Sequence, residues 1–276
     1  MVHQTAKVDV APSRLGLAHA LKDRAMLWNA STLNNYAIAA IDGRLGAVRD
    51  WLFDDAGWSI RWLVVDTGNW LSDRRVLLPP SVLGRIDEKM REVSATLTTQ
   101  QVKNSPPTDT DWPVSRQIET DIYDYYGWKP YWSNTAFTRP DGDADGGLAA
   151  PPLPGLELRG GDSDRRQSAD DPHLRSTEFV TGYHMLASDG EIGHVADFLL
   201  GDVDWGIHYL VVDTKNWWPG KKVLISPKLA TKIDWMDKLV YLDVDRQKLK
   251  DGPSYDPSAT IDAAYEKQIR DYYGYA

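Results

Sequence analysis

"RWLVVDTGNWL" (residues 61–71) sets four consecutive apolar side chains, Trp62 to Val65, against a tail of Asp66, Thr67, Gly68 and Asn69. Four apolar residues in a row are too few for a helix. The tail consists of side chains that bond back to nearby backbone, so the stretch reads as a strand buried on both faces that ends in a turn. A near copy, "HYLVVDTKNWW", stands at 208–218. Laying residues 36–80 on 183–227, a constant shift of 147, opens no gap and gives 21 identities in 45 positions. Matched pairs include Tyr36 with Tyr183, Asp42-Gly43 with Asp189-Gly190, Gly46 with Gly193, Asp50 with Asp197, and Trp58 with Trp205. The same shift carries "DYYG" at 124–127 onto 271–274. A period this long means two tandem domains rather than a solenoid, whose repeats run to about 20–50 residues.

Working outward, each repeat is a series of short apolar runs bounded by turn residues: "YAIAA", "GAVRDWLF", "IRWLVVD" and "RVLLP" in the first. That is strand spacing for a small all-β barrel. The Asp-Gly pairs at 42–43 and 189–190 predict tight hairpins, because that turn needs a positive φ that glycine adopts freely. Gly46, Asp66 and Asn69, with Gly193, Asp213 and Asn216 in the second copy, complete the expected turn residues, and Pro219-Gly220 closes a hairpin where the first copy has Ser72-Asp73. The tails change period. Ile118, Ile122 and Tyr125, and Ile261, Tyr265, Ile269 and Tyr272, share one helical face, with Gly127 and Gly274 placed to end each helix. Between the repeats, residues 138–172 are dense in Pro, Gly and Asp and read as a linker. The expected organisation is an N-terminal arm (1–24), a first repeat with helical tail (25–128), a linker (129–172) and a second repeat with helical tail (173–276). The fold class is mainly β, two tandem small antiparallel barrels each with a C-terminal helix, packed as a pseudo-twofold pair.

Asp66-Thr67-Gly68 after an apolar run is also how the catalytic strand of an aspartic protease ends, a chemistry that needs two aspartates sharing one proton. The second copy breaks the required symmetry, since Lys215 replaces the glycine, and Asn69 follows Gly68 where a small residue is needed. Asp66 and Asp213 are therefore read as turn residues. Other motifs fail on context. Asp141, Asp143, Asp145 and Gly146 occupy the early places of a calcium loop, but Pro152 stands at its twelfth place instead of a bidentate glutamate. The Gly-Asp-Ser triplet in "GGDSDRR" (160–166) lacks the strand-to-helix turn that exposes a nucleophile. His184, His194 and His208 belong to the second copy alone, opposite Ala37, Ala47 and Arg61, without metal-ligand spacing. Neither a phosphate-cradling loop nor a dinucleotide fingerprint is present. No enzyme, cofactor or metal site is expected.

Composition narrows the partners. With 31 basic against 40 acidic residues, net −9, the charge disfavours broad attraction to nucleic acid or anionic lipid while leaving room for a local basic patch, and the absence of cysteine removes thiol chemistry. No segment approaches the roughly eighteen apolar residues that span a bilayer, so a cytoplasmic, soluble protein is expected. Tryptophan is abundant, 12 in the chain. Most are expected in the core, but Trp70 and Trp217-Trp218 sit beyond their strands and precede Arg74-Arg75 and Lys221-Lys222. Together these seven residues form the candidate protein-interaction surface, the alternative being that the rings fold back over the barrel end.

The ordered pattern Tyr-x(5)-Asp-Gly-x-x-Gly-x-Val-x-Asp-x-Leu, then Trp-x-Ile-x-aromatic-Leu-Val-Val-Asp, then basic-Val-Leu-Ile/Leu-x-Pro, resembles the PRC-barrel family and occurs twice, covering about 26–107 and 173–255. Members include the cytoplasmic barrel of the photosynthetic reaction centre H subunit and the C-terminal domain of the ribosome-maturation factor RimM. The resemblance implies a compact, mostly antiparallel barrel that docks onto other macromolecules without catalytic residues. It differs from the H subunit in lacking a transmembrane helix, and from RimM in having a second barrel in place of a different N-terminal domain. The expected function is a non-enzymatic interaction or assembly module. The alternatives are a peripheral subunit of a membrane electron-transfer complex and a ribosome-assembly factor.

Overall fold

The structure, a computed structural model, describes residues 26–71, 74–106, 116–130, 173–214, 221–259 and 261–274. The acidic linker, the Gly-Asp-Ser triplet, Ser72-Asp73 and Lys215 to Gly220 lie outside the described residues. By contact the chain divides into two compact units, Met1–Thr99 with His173–Ala276, and Gln100–Pro172.

The first unit is mainly β and holds two sheets of seven strands. In the first half the strands are β1 (Leu27–Asn29), β2 (Ala37–Ala39), β3 (Arg44–Asp54), β4 (Ser59–Asp66), β5 (Arg75–Leu78), β6 (Leu83–Asp87) and β7 (Glu92–Ala95). The second half repeats them as β8 (Leu174–Ser176), β9 (His184–Ala187), β10 (Gly190–Gly201), β11 (Ile207–Asp213), β12 (Lys222–Ile225), β13 (Ala230–Asp234) and β14 (Leu239–Leu242). A four-residue helix follows each leading strand, α1 (Ala30–Leu33) and α4 (Thr177–Val180). The sheet orders are β5-β4-β3-β2-β7-β6 and β12-β11-β10-β9-β14-β13. Pairing is antiparallel throughout except β2 with β7 and β9 with β14, which are parallel. The edge strands of each sheet do not pair with one another among the described residues, so the barrels expected from the strand spacing are open sheets.

The seventh strand of each sheet comes from the opposite half. β1 pairs with β10 (Leu27 opposite Gly201), and β8 pairs with β3 (Leu174 opposite Asp54). The two exchanges are related by the same shift of 147 that relates the sequences. Each core is filled by the apolar strand runs: Trp51, Trp62, Leu63 and Val65 are fully buried in the first half, and Phe198, Leu210 and Val212 in the second. Gly190 takes a positive φ of 142° as its turn requires, whereas Gly43 does not. In the first copy the hairpin is closed without the left-handed backbone that Asp-Gly predicts.

The second half ends in α5 (Arg246–Asp251) and α6 (Ala263–Tyr273). Asp262 caps α6 through the Tyr265 N–H at 2.8 Å, and Gly274, at φ 75°, closes it by donating to the Arg270 carbonyl. Ile261, expected on the helical face, precedes the helix because Asp262 starts it. Tyr272 donates to the Lys248 carbonyl of α5 at 2.8 Å.

The first unit also contains Thr99, the opening residue of α2 (Thr99–Lys103). In the second unit the rest of α2 and α3 (Arg116–Tyr126) are described. Tyr125 donates to the Gln101 carbonyl at 2.9 Å. The α3 face differs from the expected one. Glu119, Ile122 and Tyr123 are buried, while Tyr125 is 40 % exposed, so the buried face runs through 119, 122 and 123 instead of 118, 122 and 125.

Candidate interaction surface

The end of the central strand, where β4 gives way to Asp66 and Thr67, is held by backbone contact. Gly46, on β3, lies against both residues, and a Cβ there would collide with the Asp66 carbonyl and sit 2.9 Å from Thr67 Cα. Gly193 stands in the same relation to Asp213, and a Cβ there would sit 3.1 Å from Thr214 Cα. Only glycine fits at a position where φ is positive and another backbone fills the side-chain space. Beyond the approach, Asp66 accepts the Gly68 N–H at 2.9 Å, and Thr67 Oγ1 donates to the Arg74 carbonyl at 2.5 Å. Thr214 Oγ1 repeats that bond to the Lys221 carbonyl at 2.6 Å. Asp66 is exposed whereas Asp213 is buried.

On this scaffold Trp70 is folded back, its indole N–H donating to the Leu45 carbonyl at 2.7 Å, yet the residue stays 41 % exposed. Arg75 stands opposite Asp66 in the β4–β5 ladder, as Lys222 stands opposite Asp213, and Arg74 is half-buried beside it. Trp70, Arg74 and Arg75 are thus brought together at one strand end. Lys221 instead ties its strand end to the loop after α5. Its ammonium donates to the Lys250 and Gly252 carbonyls, and burial pushes its pKa down. Trp217, Trp218 and Asn216 lie outside the described residues, and Asn69 is exposed in the 3-10 turn Gly68–Leu71. The hairpin aspartates reach further than their turns. Asp42 accepts the Thr99 N–H at 2.7 Å and Thr99 Oγ1 at 3.0 Å, which lowers its pKa, and Asp189 accepts the Arg246 N–H at 2.8 Å with the same effect. Both anchor the start of a helix.

A second set of polar residues forms the seam between the halves. Asp50, nearly fully buried, accepts Ser176 Oγ (2.5 Å), Thr177 Oγ1 (3.0 Å) and the Glu178 N–H (3.1 Å) from the opposite half. Asp197 accepts the Ser31 N–H at 3.1 Å and also accepts Ser31 Oγ–H. Each aspartate therefore caps the short helix that follows the exchanged strand. Desolvation raises both pKa values, opposed by these donors. Asp55 holds His173 and Arg175 at 2.9 and 3.1 Å, and Asp202 holds the Met26 N–H at 2.9 Å. The hairpin tips between β3 and β4 and between β10 and β11 meet as well. The Ile60 N–H donates to the Trp205 carbonyl at 2.8 Å and the Ile207 N–H to the Trp58 carbonyl at 2.7 Å. Both tryptophans have left-handed backbones, φ 51° and 52°, a strain of about 1 kcal/mol each that turns their carbonyls to this exchange. Trp205 then stacks on Trp51 across the seam at 5.3 Å, while Trp58 stacks on Phe53 of its own sheet at 5.4 Å.

Among the described residues, clefts flank the seam, two of which are large. The larger, about 690 Å³, is lined by Trp58, His208, Lys228, Glu266 and Arg270. The smaller, about 590 Å³, is lined by Pro80, Ser81, Arg85, Val203 and Trp205. In the larger, His208 Nε2 lies 3.0 Å from Asp204 Oδ2, which raises the imidazole pKa and holds the Asp204 carboxyl down at about 2. Asp204 also accepts the Gly206 N–H at 3.0 Å, so the pair closes the hairpin tip. The first copy closes its tip with Arg61 and Asp54 at 3.0 Å. His184 pairs with Glu191 at 2.8 Å, and among the described residues no group of three or more acidic or histidine side chains is placed to hold a metal ion.

The seam aspartates were not legible as such. Their one sequence signal is that Asp50, Asp55, Asp197 and Asp202 are identical between the copies.

Comparison with protein families matches the PRC-barrel domain to residues 29–95, and the chain carries that domain there. No curated protein matches the chain. No helix among the described residues is long and apolar enough to cross a membrane.

Proposed function

We propose that a chain carrying a PRC-barrel domain at 29–95 and a second half of the same strand order works as a non-enzymatic interaction or assembly module of two PRC-barrels, in the cytoplasm. The observation that carries this reading is the reciprocal seam. The Asp50 and Asp197 caps and the exchanged strands β1 and β8 make one body of the two halves. Such a body presents two strand ends in fixed relation, as a dimer does, and a fixed pair of contact points binds a matching partner without the entropy cost of aligning them. Trp70, an exposed ring clamped by its N–H and set beside Arg74 and Arg75, is the kind of rigid aromatic anchor that dominates binding energy.

The test is an affinity pull-down from the native cell with the full chain as bait. Trp70→Ala and Trp217→Ala variants are expected to lose a partner that the wild type retains. Equal retention by wild type and both variants would remove the strand-end rim from the interface.

A further inference from the structure

The duplication supplies an internal control for what this fold needs on its surface. Among the positions where the second half is apolar and the first polar, Phe179 stands for Thr32, Trp235 for Glu88 and Met236 for Lys89. The elements are equivalent, α4 for α1 and the β13–β14 turn for the β6–β7 turn, so the fold forms without these apolar side chains. The structure links Phe179 and Trp235 through the buried Tyr183 ring, and Met236 follows Trp235 in the same turn. Phe179 meets Tyr183 edge-on at 5.9 Å, and Tyr183 lies 6.0 Å from Trp235 and donates to the Trp235 carbonyl at 3.5 Å. Lys238, closing the same turn, stands 5.4 Å over the Phe179 ring, and Arg175 stands 4.2 Å over Trp235. Phe179 is 57 % exposed and Met236 94 %. The first half also exposes a methionine in this turn, Met90 at 72 %, but its neighbours in the chain there are Glu88, Lys89 and Arg91. Contiguous exposed apolar side chains of this kind mark interaction sites.

We infer that this face of the second half is a self-association surface, whose occupant is the same face of a second copy of the chain. Charge decides between a like and an unlike partner. Asp237 and Lys238, adjacent and exposed, border the apolar cluster, Lys238 over the Phe179 ring and Asp237 within electrostatic reach of Lys232. Arg49 and Glu178, 3.0 Å apart, neutralise one another at the α4 end. The face is therefore balanced in charge and apolar at its centre. A twofold axis through it sets Asp237 of one copy against Lys238 of the other, and the reverse, while the rings pack across the axis. On a chain of net charge −9, a charge-balanced face is where two like molecules approach with least repulsion. Three large side chains anchor an interface at the small end of the usual range, so the association is weak, with a Kd of roughly 1–100 μM.

This inference rests on the reading of the chain as an interaction module. The experiment is sedimentation of the full chain from about 1 to 500 μM, a span that brackets that Kd. The wild type is expected to pass from monomer to dimer. F179T/M236K, which installs the residues of the first half, is expected to stay monomeric with an unchanged thermal melt. K238D, at a left-handed position that Asp accepts (φ 56°), is expected to weaken the dimer at least fivefold, and the charge swap D237K/K238D to restore it. A wild type that stays monomeric throughout overturns the inference, as does a F179T/M236K variant that dimerises like the wild type. Either result leaves the strand-end pull-down unaffected, so the two readings fail separately.

Discussion

Gly46 and Gly193 decide whether the central strand can end where it does. Each gives the neighbouring Asp66 or Asp213 carbonyl the space a side chain would take. Gly46→Ala is expected to destabilise the protein by about 3–4 kcal/mol, read as a large drop in the midpoint of chemical denaturation, because rigid backbone on both sides leaves nothing to move. Near wild-type stability would mean that β3 relaxes away from Thr67. His208 carries a pH effect that its counterpart Arg61 does not. Its pKa is raised above 6.5 by Asp204, so the stability it contributes is full below pH 6.5 and is lost as pH rises through the folded value. Asp204, held at about 2, contributes above pH 3.8 and loses that contribution as pH falls towards 2. The pair is partly exposed, so the effect is less than about 1 kcal/mol. His208→Arg is expected to flatten the fall in melting temperature between pH 6 and 9, and an unchanged slope would place the titration elsewhere. At this scale the sequence is readable where a residue acts locally. The Asx turn of Asp66 follows from Asp-Thr-x-Asn, whereas the reach of Asp42 to Thr99 spans residues that no local pattern links.

Among the elements, the strands of each sheet follow from their apolar runs, and the parallel contacts of β2 with β7 and β9 with β14 do not. A strand's partner is set by which edges remain free after the hairpins close, and periodicity says nothing of that. The leading strands β1 and β8 are the hardest to read, being three residues long and paired with a strand some 170 or 120 positions away. Their support is concentrated in Asp50 and Asp197. Asp50→Ala is expected to cost about 1–3 kcal/mol, because the buried Thr177 Oγ1 and the part-buried Ser176 Oγ and Glu178 N–H lose their acceptor. Hydrogen exchange should show the loss first in β8 and α4. Exchange protection that is unchanged there would assign the capping of α4 to its own Ser176, which already accepts the Phe179 N–H at 3.0 Å. An aspartate inside a strand reads in sequence as a solvent-facing position. Here it faces the other half of the chain, and only its recurrence at the same place in both copies hints at a shared duty.

At the scale of the whole molecule, the exchanged strands, the four aspartates and the Trp58 and Trp205 carbonyls all cross one seam, and each crossing has a mate at a shift of 147. A dimer of single barrels, fused end to end, would leave this pattern. That both halves build strands in the same order was legible from the gapless repeat. The exchange of strands was not, because it depends on where each chain start lies relative to the other sheet. The most direct test is to insert a protease site between Gly146 and Gly147, cut the purified folded protein, and measure its mass in native buffer by light scattering. The two fragments are predicted to remain together as one particle, separating only when the fold is lost in denaturant. Fragments that part in native buffer while each keeps its β-sheet signal would contradict the seam.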